Sequence, residues 1–161
     1  MRSRLFMLTA IALLFAAALP ISVPRVAAAG KPLVVVVSAA AAMKDISTST
    51  LRRVFQGLPT DFENGKRFVP LNHPTGTPGR AQFDRALLGL EPTAVGAFWI
   101  DRRIRDESPP PRTVPSAELA LRIAASLPGA ITYVYPETVT PAVKVLSIDG
   151  KVGGSAGYLL N

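Results

Sequence analysis

The sequence predicts an α/β domain, with a central sheet flanked by helices. Three observations carry that expectation. Residues 33–37 read Leu-Val-Val-Val-Val, the unbroken β-branched run of a strand covered on both faces. Residues 130–134, Ala-Ile-Thr-Tyr-Val, repeat the pattern near the other end. Between them lie segments with apolar residues at i, i+3 and i+4, the spacing of one helical face. Strands alternating with helices place the chain in the α/β class.

Length and charge narrow this further. The chain has 161 residues, 18 Lys+Arg against 11 Asp+Glu, and no Cys. Arg2 and Arg4 precede an apolar stretch over 5–19, Pro20 and Pro24 break it, and Ala27-Ala28-Ala29 offers small residues for a cleavage site. That order of charged, apolar and small regions predicts a secretory signal peptide over 1–29, cut before Gly30. The stretch falls short of the ~20 apolar residues of a spanning helix, so no membrane insertion is expected after cleavage and the product is placed in the periplasm or outside the cell. Removing 1–29 takes away Arg2, Arg4 and Arg25 and no acid, so 15 basic residues face 11 acidic ones, a balance of +4. The remaining 30–161 suits one domain with its own core.

Each element follows in order. After the first strand comes Ser38, then small residues. Ser49 is the expected N-cap of a helix carrying Leu51, Val54 and Phe55 and ending at Gly57. Asn64-Gly65 marks a tight turn before a short strand over 68–71. A loop over 72–79 leads to a helix over 80–88 with Phe83, Leu87 and Leu88 on one side, closed by Gly89. Glu91-Pro92 opens a helix whose apolar face is Val95, Phe98 and Trp99. Residues 102–115 include Pro109-Pro110-Pro111 and read as an extended surface segment. Ser116 caps a helix with Leu119, Ile123 and Leu127 expected on its buried side, stopped by Pro128-Gly129. A last strand is expected over 143–148, before an Asp149-Gly150 turn.

Several chemistries are excluded. Without Cys there is no thiol catalysis, disulfide, iron–sulfur cluster or Cys-ligated zinc. His73 is the only His, in a loop before a proline, so no His-rich metal site is expected and no cofactor is called for. A hydrolase built on Ser38, Asp45 or His73 lacks a G-x-S-x-G elbow, and no catalytic residue is assigned. The arginines are paired or interleaved with acids and no aromatic–basic platform is present, which argues against nucleic acid.

The informative loop is Thr75-Gly76-Thr77-Pro78-Gly79-Arg80, between a strand and a helix. The first turn of a helix carries N–H groups without partners and favours negative charge. Two hydroxyls, glycines and an arginine there suit an oxyanion such as phosphate. The same residues also fit a plain helix cap with a solvated Arg80. The G-x-x-x-x-G-K-[ST] spacing of a Walker loop is absent.

Eight blocks in order extend this reading: Leu-Val-Val-Val-Val (33–37), Leu-Arg-Arg-Val-Phe-Gln-Gly (51–57), Asn-Gly-Lys (64–66), Gly-Thr-Pro-Gly-Arg-Ala-Gln-Phe (76–83), Leu-Gly (88–89), Phe-Trp (98–99), Pro-Pro-Arg (110–112) and Pro-Gly-Ala-Ile-Thr-Tyr (128–133). Over 31–160 the chain resembles the short phosphate ABC transporter substrate-binding-like proteins, themselves similar to the second lobe of the periplasmic phosphate-binding protein. The resemblance implies a single periplasmic-binding-protein-like lobe that binds solute without catalysis. It implies an oxyanion held by Thr75, Gly76 and Thr77, with Arg80 as counter-charge from the helix side and Ser38 adjacent at a strand's carboxyl end. Two charged positions of the longer relatives fall on Leu71 and His73, so both partners are missing, and one lobe leaves a ligand half-exposed. Phosphate or another small oxyanion is the expected ligand, with an envelope or transporter protein as partner. The competing reading is an envelope interaction protein that keeps the fold without the ligand.

Overall fold

The computed structural model describes residues 30–105 and 107–161, so the signal-peptide expectation for 1–29 lies outside the described residues. Four of the strands build on β1 (Val34–Ser38), whose four valines are all buried. Successive side chains of a strand point to opposite faces, so burial of all four means that both faces of the sheet are covered. β5 (Ala130–Val134), buried throughout, runs antiparallel to β1 with Val34 opposite Val134. On the far side of β5, β3 (Val69–Asn72) runs parallel to it, and β4 (Arg112–Thr113) runs parallel to β3. With β6 (Val143–Val145) antiparallel on β1, the mixed sheet has the order β4-β3-β5-β1-β6. A separate two-stranded piece pairs β2 (Asp45–Ile46) with β7 (Ser147–Ile148).

The last strand therefore divides where one continuous strand over 143–148 was expected. Leu146 marks the break: its N–H donates to Val35 O at 2.9 Å and its side chain is fully buried, while Ser147 and Ile148 turn to β2.

Helix α1 (Thr48–Phe55) buries Leu51, Val54 and Phe55, the face expected from spacing. Its cap is Ser47 instead of Ser49, because Ser47 Oγ accepts from Thr50 N. Asp149, distant in sequence, then holds Thr48 through its N–H (3.0 Å) and hydroxyl (2.6 Å). The expected Asn64-Gly65 turn is present, both residues in the left-handed region at φ 53° and 70°. Helix α2 (Pro78–Phe83) begins two residues early, because proline suits the first helical position, and runs on as a π-helical turn (Asp84–Leu88).

Two helices depart from their expected faces. On α3 (Pro92–Ile104) only Val95 and Arg102 are buried; Phe98 and Trp99 are half-buried and sit outside the core cluster. Their rings instead receive the Arg102 guanidinium at 5.5 and 5.9 Å. Arg102 to Ile104 thus belong to the helix, and only the later part of 102–115 is extended. On α4 (Ala117–Ser126) the buried residues are Ala120, Leu121 and Ala124, while Leu119 and Ile123 are half-buried and Leu127 is exposed. Small alanines let the helix approach β1 and β5, so Ala120 and Ala124 together with Leu121 take the contact that Leu119, Ile123 and Leu127 were expected to make.

Candidate functional site

The strand directions decide which loops meet. β3 and β5 end at the same edge of the sheet, where β1 begins. There a pocket of ≈ 200 Å³ is bordered by His73 and Thr77 after β3, Tyr135 after β5, and Leu33 before β1. The starts of two helices border it as well, Pro78 to Arg80 of α2 and Pro115 to Ala117 around the start of α4. Ligands of α/β sheets settle outside the carboxyl ends of strands, and helix starts carry free amides.

The two helix starts differ in chemistry. Ser116 Oγ accepts from Leu119 N at 3.2 Å, a regular cap on α4. Thr77 holds the equivalent place on α2 but makes no cap bond; its hydroxyl donates to Pro74 O at 2.9 Å. Pro78 has no N–H, so Gly79 and Arg80 supply the first amides of α2, uncapped by a side chain.

Of the expected site residues, the pocket gathers Thr77 and Arg80. Thr75 and Gly76 are exposed and do not border it, with Gly76 at φ 90° making the turn into the helix. Ser38 is not adjacent, contrary to the expectation. β1 runs antiparallel to β5, which puts its carboxyl end at the opposite edge of the sheet. There Ser38 Oγ donates to Ala125 O at 3.1 Å and accepts from Ala40 N.

Arg80 is also not a solvated counter-charge. It is 5% exposed; its Nε lies 2.6 Å from Asp84 Oδ2, and another guanidinium nitrogen donates to His73 O at 3.0 Å. Asp84 is 2% exposed, its second oxygen is unpaired, and burial raises its carboxyl pKa against the opposing pull of Arg80. The pair is thus close to neutral as a unit, and the positive field it presents to the pocket is small. The i, i+4 spacing of Arg80 and Asp84 is visible in the sequence and is the signal that could have found this partner.

Behind the loop lies a network that residue spacing did not reveal. The buried Asn72 accepts through Oδ1 from Tyr133 Oη (2.5 Å) and from His73 N (3.1 Å). His73 Nε2 lies 2.7 Å from Tyr133 O; a carbonyl can only accept, so Nε2 carries the hydrogen. Tyr133 stacks on Phe83 at 3.7 Å, and burial pushes its phenol pKa up. Burial lowers the His73 pKa, although its backbone bond to Tyr133 opposes the shift. Leu71, at one of the two charged positions of the resemblance, is 1% exposed in the core and cannot meet a ligand.

Compared by sequence, the chain matches no protein-family model and no curated protein. Compared by structure, it superposes on an ABC-type phosphate transport receptor from Vibrio cholerae at TM-score 0.65 and 17% identity, over 80% of this chain and 53% of that one. A Clostridium perfringens protein, assigned as a phosphate ABC transporter substrate-binding protein and solved with bound phosphate, gives TM-score 0.61 and 13% identity over 76% and 46%. PstS from Borrelia burgdorferi gives TM-score 0.55 and 12% identity over 74% and 48%. The fold is that of a periplasmic-binding-protein-like lobe. The chain spans about half the length of the structures it matches. Among the described residues, no helix is long and apolar enough to cross a membrane.

Proposed function

We propose that this lobe is an exported, non-enzymatic solute-binding domain that takes phosphate or a related small oxyanion in the pocket between α2 and α4. The observation that carries the reading is the convergence of two helix starts on one pocket, one of them uncapped, at the carboxyl ends of β3 and β5. The amides of Gly79 and Arg80 and the Thr77 hydroxyl would act as donors, with Thr75 and Gly76 shaping the approach. Arg80 acts mainly through position, since Asp84 offsets its charge. Affinity is therefore expected near the millimolar range. Export rests on the charged, apolar and small-residue order of 1–29, and a transporter or envelope protein is the natural partner for a lobe of this fold.

Titration of the purified protein with phosphate and sulfate, followed by amide chemical shifts, tests the proposal. The amides of Gly79, Arg80 and Ala117 should move together, and Thr77→Val should weaken the response several-fold. A folded sample whose amides stay still at tens of millimolar phosphate, about ten times the expected Kd, removes the binding claim.

One feature favours the interaction reading instead. Ile100 and Ile104, one turn apart on α3, are 62% and 79% exposed. An envelope partner retained by Thr77→Val and lost with Ile100→Asp would support protein interaction over anion capture.

A further inference from the structure

The geometry points to a separate binding site for a small amphiphilic carboxylate at the opposite end of β3. A pocket of ≈ 320 Å³ lies there between the end of α1, the start of β3 and the proline-rich segment before β4. Leu58, Phe68, Val69, Pro70 and Pro110 give it apolar walls. Arg67 and Arg112 border the same pocket, and both are exposed.

Arg67 and Arg112 contrast with the four ion-paired arginines among the described residues. Arg80, Arg85, Arg102 and Arg105 all engage acids, whereas neither Arg67 nor Arg112 has an acidic partner among the described residues. Two uncompensated guanidinium groups beside an apolar hollow complement an anionic head joined to an apolar body. A planar carboxylate matches the guanidinium fork, and the apolar body gains by leaving water. At about 30 Å³ for each water-sized unit, the volume suits a ligand of about ten heavy atoms.

The wall is also preorganised. Pro109-Pro110-Pro111 fixes three backbone φ angles and offers no N–H to an added strand, which favours a ligand held by side chains over one that extends the sheet. Gly57 makes the close approach of that wall feasible. It sits at φ 75°, and a Cβ there would lie 2.5 Å from Pro109 O. The proline run thus forms a stiff border of the hollow, and little conformational freedom remains to be lost on binding.

Octanoate, octanol and acetate serve as probes, with amide shifts of Gly57, Leu58 and Val69 as readout. Octanoate is expected to shift these amides with a Kd of about a millimolar or below, octanol more weakly, and acetate not at all. The double variant Arg67→Gln, Arg112→Gln should keep the wild-type unfolding temperature and bind octanoate about tenfold more weakly. The site is overturned if octanoate causes no shift at about 10 mM, if octanol binds as tightly, or if the folded double variant binds octanoate unchanged. Phosphate titration reads the other pocket, so either site can fail without the other.

Discussion

Arg80 and the two arginines Arg67 and Arg112 lie at opposite ends of β3 and face opposite electrostatic conditions. Arg80 follows a glycine-rich turn, has the look of a ligand counter-charge, and is buried in an ion pair with Asp84. Arg67 and Arg112 stand at no helix-start turn, yet they are exposed beside a hollow, with no acidic partner among the described residues. Motif context therefore says less about an arginine's availability than the acids folding brings near it. A buried pair serves architecture: Arg80 joins α2 to the loop after β3, through His73 O.

The largest test of this contrast is stability. Arg80→Ala should cost about 3–5 kcal/mol in denaturant unfolding, because Asp84 would remain buried without its partner. Arg67→Gln should stay within about 0.5 kcal/mol. Replacing both members, Arg80→Leu with Asp84→Leu, should recover most of the loss, since neither charge is then stranded. Equal costs for Arg80→Ala and Arg67→Gln would abolish the distinction.

A smaller effect separates the two helix starts of the oxyanion pocket. Ser116→Ala should lower stability by about 1 kcal/mol by removing a made cap bond. Thr77→Val removes only a hydroxyl bonded back to Pro74, and should cost less than Ser116→Ala while still weakening phosphate. If Thr77→Val proves the more destabilising of the two, the uncapped start of α2 is misassigned.

The smallest expected effect is in pH. The His73 pKa is lowered in the folded chain by burial, below about 6.5 in the unfolded chain. The unfolded state then binds more protons between those two values, so stability is complete above about pH 6.5 and declines as pH falls through the folded pKa. Asp84, whose pKa is raised, acts in the opposite sense, so the comparison with His73→Gln isolates the imidazole. An unfolding midpoint with the same pH slope in wild type and His73→Gln would show that the ring titrates alike in both states.

Much of the fold was legible in the sequence for local reasons. The valines of β1 and the alternation of strands with helices follow from side-chain shape, and Asn64-Gly65 from backbone freedom. The faces of α3 and α4 were less legible. Periodicity marks an apolar side but not what meets it: the sheet took the alanines of α4, and Phe98 and Trp99 of α3 met Arg102 instead of the core. Within the candidate site, Thr77 and Arg80 were found from the turn and helix start. Asn72 and Tyr133 were not, because a hydrogen bond between residues 61 apart leaves no spacing to read.

By itself the sequence determined the α/β class, the core strands, and the placement of a hydroxyl- and glycine-rich turn before a helix. Those features depend on short-range sterics and on alternating burial, both written into neighbouring residues. Only the tertiary structure decided that Ser38 and Thr77 lie at opposite edges of the sheet, since strand direction is set by how distant segments pair. It also decided which arginines keep a free charge, because burial and the position of a compensating acid exist only once the chain has folded.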